Sequence, residues 1–347
     1  LSGSNHLPQA VIYGCAGPRL SAEEKQFFRT ANPFGFILFA RNVETPEQLR
    51  TLTGDLRESV GRADAPILID QEGGRVRRMR PPVWEEYPSM RPFGDLWRRD
   101  PQEAARLLRL NTLLLAADLR DAGISVNCTP VLDVPVEGAH DVIGNRAFST
   151  DPACVSALGR VAYDACLEGQ ILPVIKHLPG HGRSHVDSHH TLPVVDTPLA
   201  DLRRSDFLPF RDLKDAVFGM TAHIVFPSID GDVPATQSAT VIRDIIREEL
   251  GFTGILMTDD LSMKALKGDF TSRARIALDA GCDLVLHCNG DMAEMTAVAD
   301  GMQAMTPACW AQWQAAQALL PAAAPDLDPQ EARREIARGL GLPLVAA

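Results

Sequence analysis

Five of the chain's nine histidines fall within residues 176–190, K-H-L-P-G-H-G-R-S-H-V-D-S-H-H. Such crowding suggests either metal binding or proton transfer, because histidine is a common metal ligand and titrates near neutrality. His177, His181, His185 and His189 recur every four residues, as ligands on one helix face would. Pro179, Gly180 and Gly182 oppose that helix, since proline lacks a donor and glycine favours turns, so no metal is expected here. Asp187 and His189 stand two apart, close enough for a carboxylate to orient an imidazole and favour its protonated form. The pair is a candidate general acid and base, although an isolated D-x-H also fits a capping Asp beside an exposed His. Asp259 follows the apolar run Ile255-Leu256-Met257-Thr258, where a carboxylate serves as nucleophile, metal ligand or structural partner. Asp260 suits a cap of the next turn. Asp70 leads into Gln71-Glu72-Gly73-Gly74-Arg75, while Arg78 and Arg146 are candidate hydrogen-bond donors.

The elements that must position these groups are short apolar runs alternating with amphipathic segments, the pattern of βα units around a parallel sheet. The runs are Ala10 to Gly14, Gly35 to Ala40, Pro66 to Asp70, Ile124 to Thr129, Ile171 to His177, Ala216 to His223, Gly254 to Asp259 and Cys282 to Cys288. Helices are expected over Ser21 to Ala31, Pro46 to Val60, Pro101 to Ala122, Pro152 to Glu168, Thr240 to Leu250 and Ser272 to Ala280. Ser21 stands three before Glu24, Thr45 precedes Pro46 and Asp151 precedes Pro152, each a helix-start signal. An open doubly wound sheet shows the same alternation. The polar residues favour closure: Asp70, Asn127, Lys176 with His177, His223, Asp259 and Asn289 all end apolar runs, and a barrel brings those ends to one mouth. The expected fold is α/β, a single (β/α)₈ barrel over residues 1–347, with C-terminal helices from about 307 to 347 covering it.

A net charge of -11 opposes nucleic acid and anionic membranes as partners. Seven cysteines, odd in number and without a C-x-x-C pair, read as reduced thiols in a cytoplasm. No apolar run reaches the length of a membrane span, and no secretion signal is read at the start. The partner expected is a small or neutral molecule.

Three segments together resemble family 3 glycoside hydrolases: Lys176 to His189, Asp70 to Arg78, and Ile245 to Ser262 with its T-D-D-L-S ending. More narrowly, they resemble the single-domain NagZ-type β-N-acetylglucosaminidases of bacterial peptidoglycan recycling, from about Gly14 to Asn289. The resemblance implies a (β/α)₈ barrel that retains anomeric configuration through a covalent glycosyl-enzyme. It assigns Asp259 as nucleophile, His189 as acid/base and Asp187 as its dyad partner. Asp70, Arg78, Arg146, Lys176 and His177 then hold the hydroxyls of a terminal N-acetylglucosamine, and His223 matches a further position at the mouth. The implied substrate is a muropeptide, N-acetylglucosamine joined to 1,6-anhydro-N-acetylmuramic acid bearing peptide, acted on by a monomer without metal or organic cofactor. Leu178 and Phe148 depart from the family pattern, as do the additional His185 and His190.

Three other readings compete. A phosphorylase fits because a histidine acid/base, unlike a carboxylate, does not repel incoming phosphate. A metal-dependent barrel amidohydrolase also lines its mouth with His and Asp. A sugar-binding barrel without turnover is the third.

Overall fold

Each of the eight apolar runs forms a strand that lies parallel to the next, and the last closes on the first. The computed structural model describes residues 7–188 and 191–343. Its strands are β1 (Gln9–Tyr13), β2 (Pro33–Leu38), β3 (Ile67–Ile69), β4 (Val126–Asn127), β5 (Leu172–Leu178), β6 (Phe218–Thr221), β7 (Ile255–Asp260) and β8 (Leu284–His287). Val11 pairs with Val285 at the closure.

The runs are almost continuously apolar because both faces of each strand are covered. Ala10, Ile12, Leu284 and Leu286 point into the barrel with Leu172, Val174, Ile255 and Met257. Their neighbours Val11, Tyr13, Ile175, Leu256 and Val285 belong to a second cluster, packed under the outer helices.

Local signals set the helix starts. Ser21 and Glu24 form a reciprocal capping box on Ala22–Ala31, and Thr45 and Asp151 cap Pro46–Ser59 and Pro152–Glu168. Each side-chain oxygen satisfies a backbone N–H that has no partner inside the helix. The expected helix near 240–250 is wound differently: Val241–Glu249 is a π-helix, with Leu250 N–H donating to Ile245 O at 2.8 Å. β4 is shorter than expected, because Thr129 N–H turns back to Asn127 O at 2.8 Å and Pro130 has no N–H to continue the ladder.

The C-terminal segment packs in two places. Pro307–Gln317 inserts Trp313 beneath the barrel, edge-on to Phe34 at 5.2 Å, where β2 begins. Pro329–Leu340 buries Ala332 and Ile336 in the outer cluster that also holds Leu107 and Leu108 of Pro101–Asp121. No described helix is long and apolar enough to cross a membrane. All seven cysteines are buried and free.

Candidate active site

The C-terminal strand ends surround a cavity of about 440 Å³. It is lined by Asp70, Arg78, Arg146, Lys176, His177, Asp187 and Asp259, so seven of the eight residues expected to act on or hold the sugar converge on it. The eighth, His189, lies outside the described residues, as does His190.

Asp70 directly follows β3, and the turn after it is held by Gln71. Its amide oxygen accepts from the N–H groups of Arg78 at 2.7 Å and Met79 at 3.1 Å, and its own N–H donates to Asn127 Oδ1 at 3.0 Å. Gly73, with φ of 101°, makes the bend, and a side chain there would collide with Pro88 O. The bend returns Arg78 to Asp70, Nη2 to Oδ2 at 3.0 Å.

Lys176, near the end of β5, reaches Asp70 at 2.9 Å and Glu72 at 2.7 Å. Glu72 in turn takes a two-pronged bond from Arg146, 2.8 Å on each arm. Lys176 and Glu72 are almost wholly buried, and Arg146 nearly so. Burial alone disfavours each charge, but the pairing outweighs it. Against that burial, Arg146 and then Lys176 hold the Glu72 carboxyl down at about 2. Lys176 and Arg78 likewise hold Asp70 well below the usual carboxylate range. The result is a rigid array of charged donors whose directions are set before any ligand arrives.

His177 lies next to this array. Its Nδ1 is 2.7 Å from Oδ2 of the fully buried Asp133. His181, three residues beyond Leu178, packs edge-on against His177 with ring centroids 5.5 Å apart. Burial, with His177 beside it, lowers the His181 imidazole to about 4, so this ring is neutral at pH 7. Its Nε2 is 3.4 Å from the hydroxyl of Ser188, the neighbour of Asp187.

Asp259 stands at the end of β7, and its Oδ1 accepts from the N–H of Asp260 at 2.8 Å. The two adjacent acids are used differently. Asp260 caps the following turn, accepting from the N–H groups of Ser262 at 3.0 Å and Cys288 at 3.1 Å. His223 does not line the cavity. It is fully buried, with Nδ1 2.7 Å from Thr236 Oγ1 and Nε2 3.0 Å from Asp260 O, and it buttresses the strand end from behind. Ile37, Met220, Met263 and Leu286 add an apolar side to the cavity.

Two further participants, Glu72 and Asp133, carry only weak signals in the sequence. Glu72 lay inside the D-Q-E-G-G-R run, where spacing from Asp70 was the available clue. Asp133 had only its position after an apolar stretch, Val131-Leu132. Among the described residues, no group of three or more His, Cys, Asp or Glu side chains is arranged to hold a metal ion.

This arrangement can bind a polyhydroxylated ligand through fixed charged donors, and it presents a strand-end carboxylate to it. The relatives of the chain agree with such use. A beta-hexosaminidase of Bordetella pertussis is 40% identical over 328 residues, covering 92% of this chain and 91% of that one. The beta-hexosaminidase of Bordetella avium is 41% identical over 288 residues, 81% of each chain. NagZ from Neisseria gonorrhoeae, solved in complex with N-trifluoroacetyl-D-glucosamine, has a TM-score of 0.85 and 33% identity over 97% of this chain and 98% of that one. Residues 7–309 match the N-terminal domain of glycosyl hydrolase family 3. Similarity of that extent, running through the whole barrel and its mouth, makes this chain a member of glycosyl hydrolase family 3 and an enzyme that hydrolyses glycosides.

Proposed function

We propose that the protein is a retaining exo-β-N-acetylglucosaminidase that removes terminal N-acetylglucosamine from muropeptides bearing a 1,6-anhydro-N-acetylmuramic acid end, in cytoplasmic cell-wall recycling. The observation that carries this reading is the convergence of Asp259 with Asp70, Arg78, Lys176 and His177 on one cavity, in a chain similar to a NagZ that binds an N-acylated glucosamine. In this reading Arg78, Arg146, Lys176, His177 and Asp70 hold the sugar's hydroxyls. The Asp259 carboxylate attacks the anomeric carbon, and the leaving oxygen takes a proton from His189, partnered by Asp187. Water then attacks the glycosyl ester, giving its proton to His189 and releasing Asp259. The whole chain, 1–347, acts as one catalytic barrel domain, with Trp313 and Ile336 securing its C-terminal helices.

The test is to trap the enzyme with a 2-fluoro derivative of the sugar and locate the label by mass spectrometry. Labelling on Asp259 is expected; labelling on another residue, or none with an active enzyme, refutes the assignment. Products of the natural disaccharide with added phosphate complete it. Free N-acetylglucosamine is expected, whereas its 1-phosphate as main product would make the enzyme a phosphorylase.

A further inference from the structure

Asp133 does not line the cavity and is fully buried. It is reached through a local irregularity of the barrel. After the turn at Thr129 and Pro130 the chain resumes parallel pairing with β5, Val131 opposite Lys176, and Leu132 N–H donates to Lys176 O at 2.8 Å. That register brings the next side chain, Asp133, against the K-H-L-P-G-H segment. Both carboxylate oxygens are used there. Oδ2 is 2.7 Å from His177 Nδ1, while Oδ1 accepts from the backbone N–H of His181 at 2.7 Å and of His177 at 3.3 Å.

A carboxylate with these partners is acceptor-only. His177 Nδ1 therefore carries a proton and points away from the cavity, and Nε2 is the ring nitrogen left for a ligand. Burial works against the charge on Asp133, but His177 and the His181 N–H hold its carboxyl below the usual range, so the acceptor persists at working pH. The two backbone bonds bracket the turn through Leu178, Pro179 and Gly180. One side chain thus fixes both the direction of a cavity histidine and the path of the chain toward Ser188 and Asp187.

We propose that Asp133 is a positioning residue of the active site, acting through His177 by holding Nδ1 as the donor and thereby aiming Nε2 at the bound sugar. The inference rests on the reading of His177 as a sugar ligand, and the test separates the two. Asp133→Asn keeps the size of the side chain and an oxygen for the His181 N–H, but turns an NH₂ group toward His177 Nδ1. The ring must then present Nδ1 as acceptor and carry its proton on Nε2.

The experiment is a double-mutant cycle on the full chain with an aryl N-acetylglucosaminide, using Asp133→Asn, His177→Ala and both together. Each single variant is expected to lose about tenfold to a hundredfold in kcat/KM, the range for a charge-assisted hydrogen bond. The double variant should stay within about twofold of His177→Ala alone, because Asp133 has nothing to aim once the ring is gone. Losses that multiply, or an Asp133→Asn variant with wild-type kcat/KM when His177→Ala is impaired, overturn the proposal. If Asp133→Asn does not fold, Asp133→Glu displaces the carboxylate while keeping its charge and enters the same cycle.

NMR of the His177 ring nitrogens gives the second readout. A protonated Nδ1 with a strongly downfield proton is expected in the wild type, and its loss in Asp133→Asn supports positioning even if His177→Ala leaves kcat/KM unchanged. That combination would remove His177 from the sugar contacts while leaving Asp133 as its orienting partner. An unchanged ring spectrum in Asp133→Asn overturns the inference.

Discussion

Glu72→Ala would remove the carboxylate shared by Lys176 and Arg146 and leave two cations facing each other with little water to screen them. The Glu72 side chain is 2% exposed, that of Lys176 3% and that of Arg146 12%. Lys176 keeps Asp70 at 2.9 Å, so the charge left without its carboxylate is that of Arg146, and breaking a buried pair in this way costs about 3–5 kcal/mol. A second route gives a similar size. Holding the Glu72 carboxyl at about 2 rather than its ordinary 4.5 corresponds to about 3 kcal/mol of native-state preference for the charged form. For 347 residues the unfolding entropy near the melting temperature is about 0.7 kcal/mol per degree, so Tm should fall by about 4–7 °C. Thermal melts by circular dichroism at pH 7 measure this, with Glu168→Ala as the control. Glu168 pairs with Arg109 at the surface, where an ion pair contributes at most about 1 kcal/mol, so the control should move Tm by little more than a degree. The pH dependence has a definite sign. A carboxyl lowered in the folded state stabilises fully above its ordinary value and loses that contribution as pH falls from about 4.5 through about 2. The Tm difference between wild type and Glu72→Ala should therefore narrow across that window. Equal melting temperatures at pH 7, or a gap that widens on acidification, would refute the account of Glu72 as the counter-charge of the cavity.

Asp259→Ala should abolish turnover while N-acetylglucosamine binding, followed by calorimetry, changes little; residual wild-type rates would remove Asp259 as nucleophile. For His189→Ala the loss should be smaller on an aryl glycoside with a good leaving group than on the natural disaccharide, since less protonation is needed, and equal losses would count against an acid role. Gly182→Ala places a methyl group 2.1 Å from Val134 O, so the backbone must shift; a destabilisation of about 1–3 kcal/mol with a clear drop in kcat is expected, and wild-type kcat would show that this packing is not needed. Prolonged chelator treatment should leave the rate unchanged, and loss of activity restored by a divalent metal would return the amidohydrolase reading to contention.

Periodicity and capping were legible in the sequence because both arise from neighbours along the chain. Eight apolar runs, the Ser21 and Glu24 capping box and the Asp151 cap reappear within a residue or two of their expected places. The strand-end positions of Asp70, Lys176, His177 and Asp259 follow from the same local pattern, and closure of the sheet turned those ends into one cavity. Proline and two glycines likewise sufficed to reject a helix of histidine ligands. Tertiary structure decided which charge answers which. Lys176 meets Asp70 across 106 residues of sequence, Arg146 meets Glu72 across 74, and Asp133 reaches His177 across 44. No local propensity encodes such pairings, since they depend on barrel register and on a strand that breaks at Pro130 and resumes at Val131. The same holds for the fates of Asp259 and Asp260: adjacent acids of identical type at one cavity, of which Asp260 spends its carboxylate on the N–H groups of Ser262 and Cys288, the second of them 28 residues away in sequence.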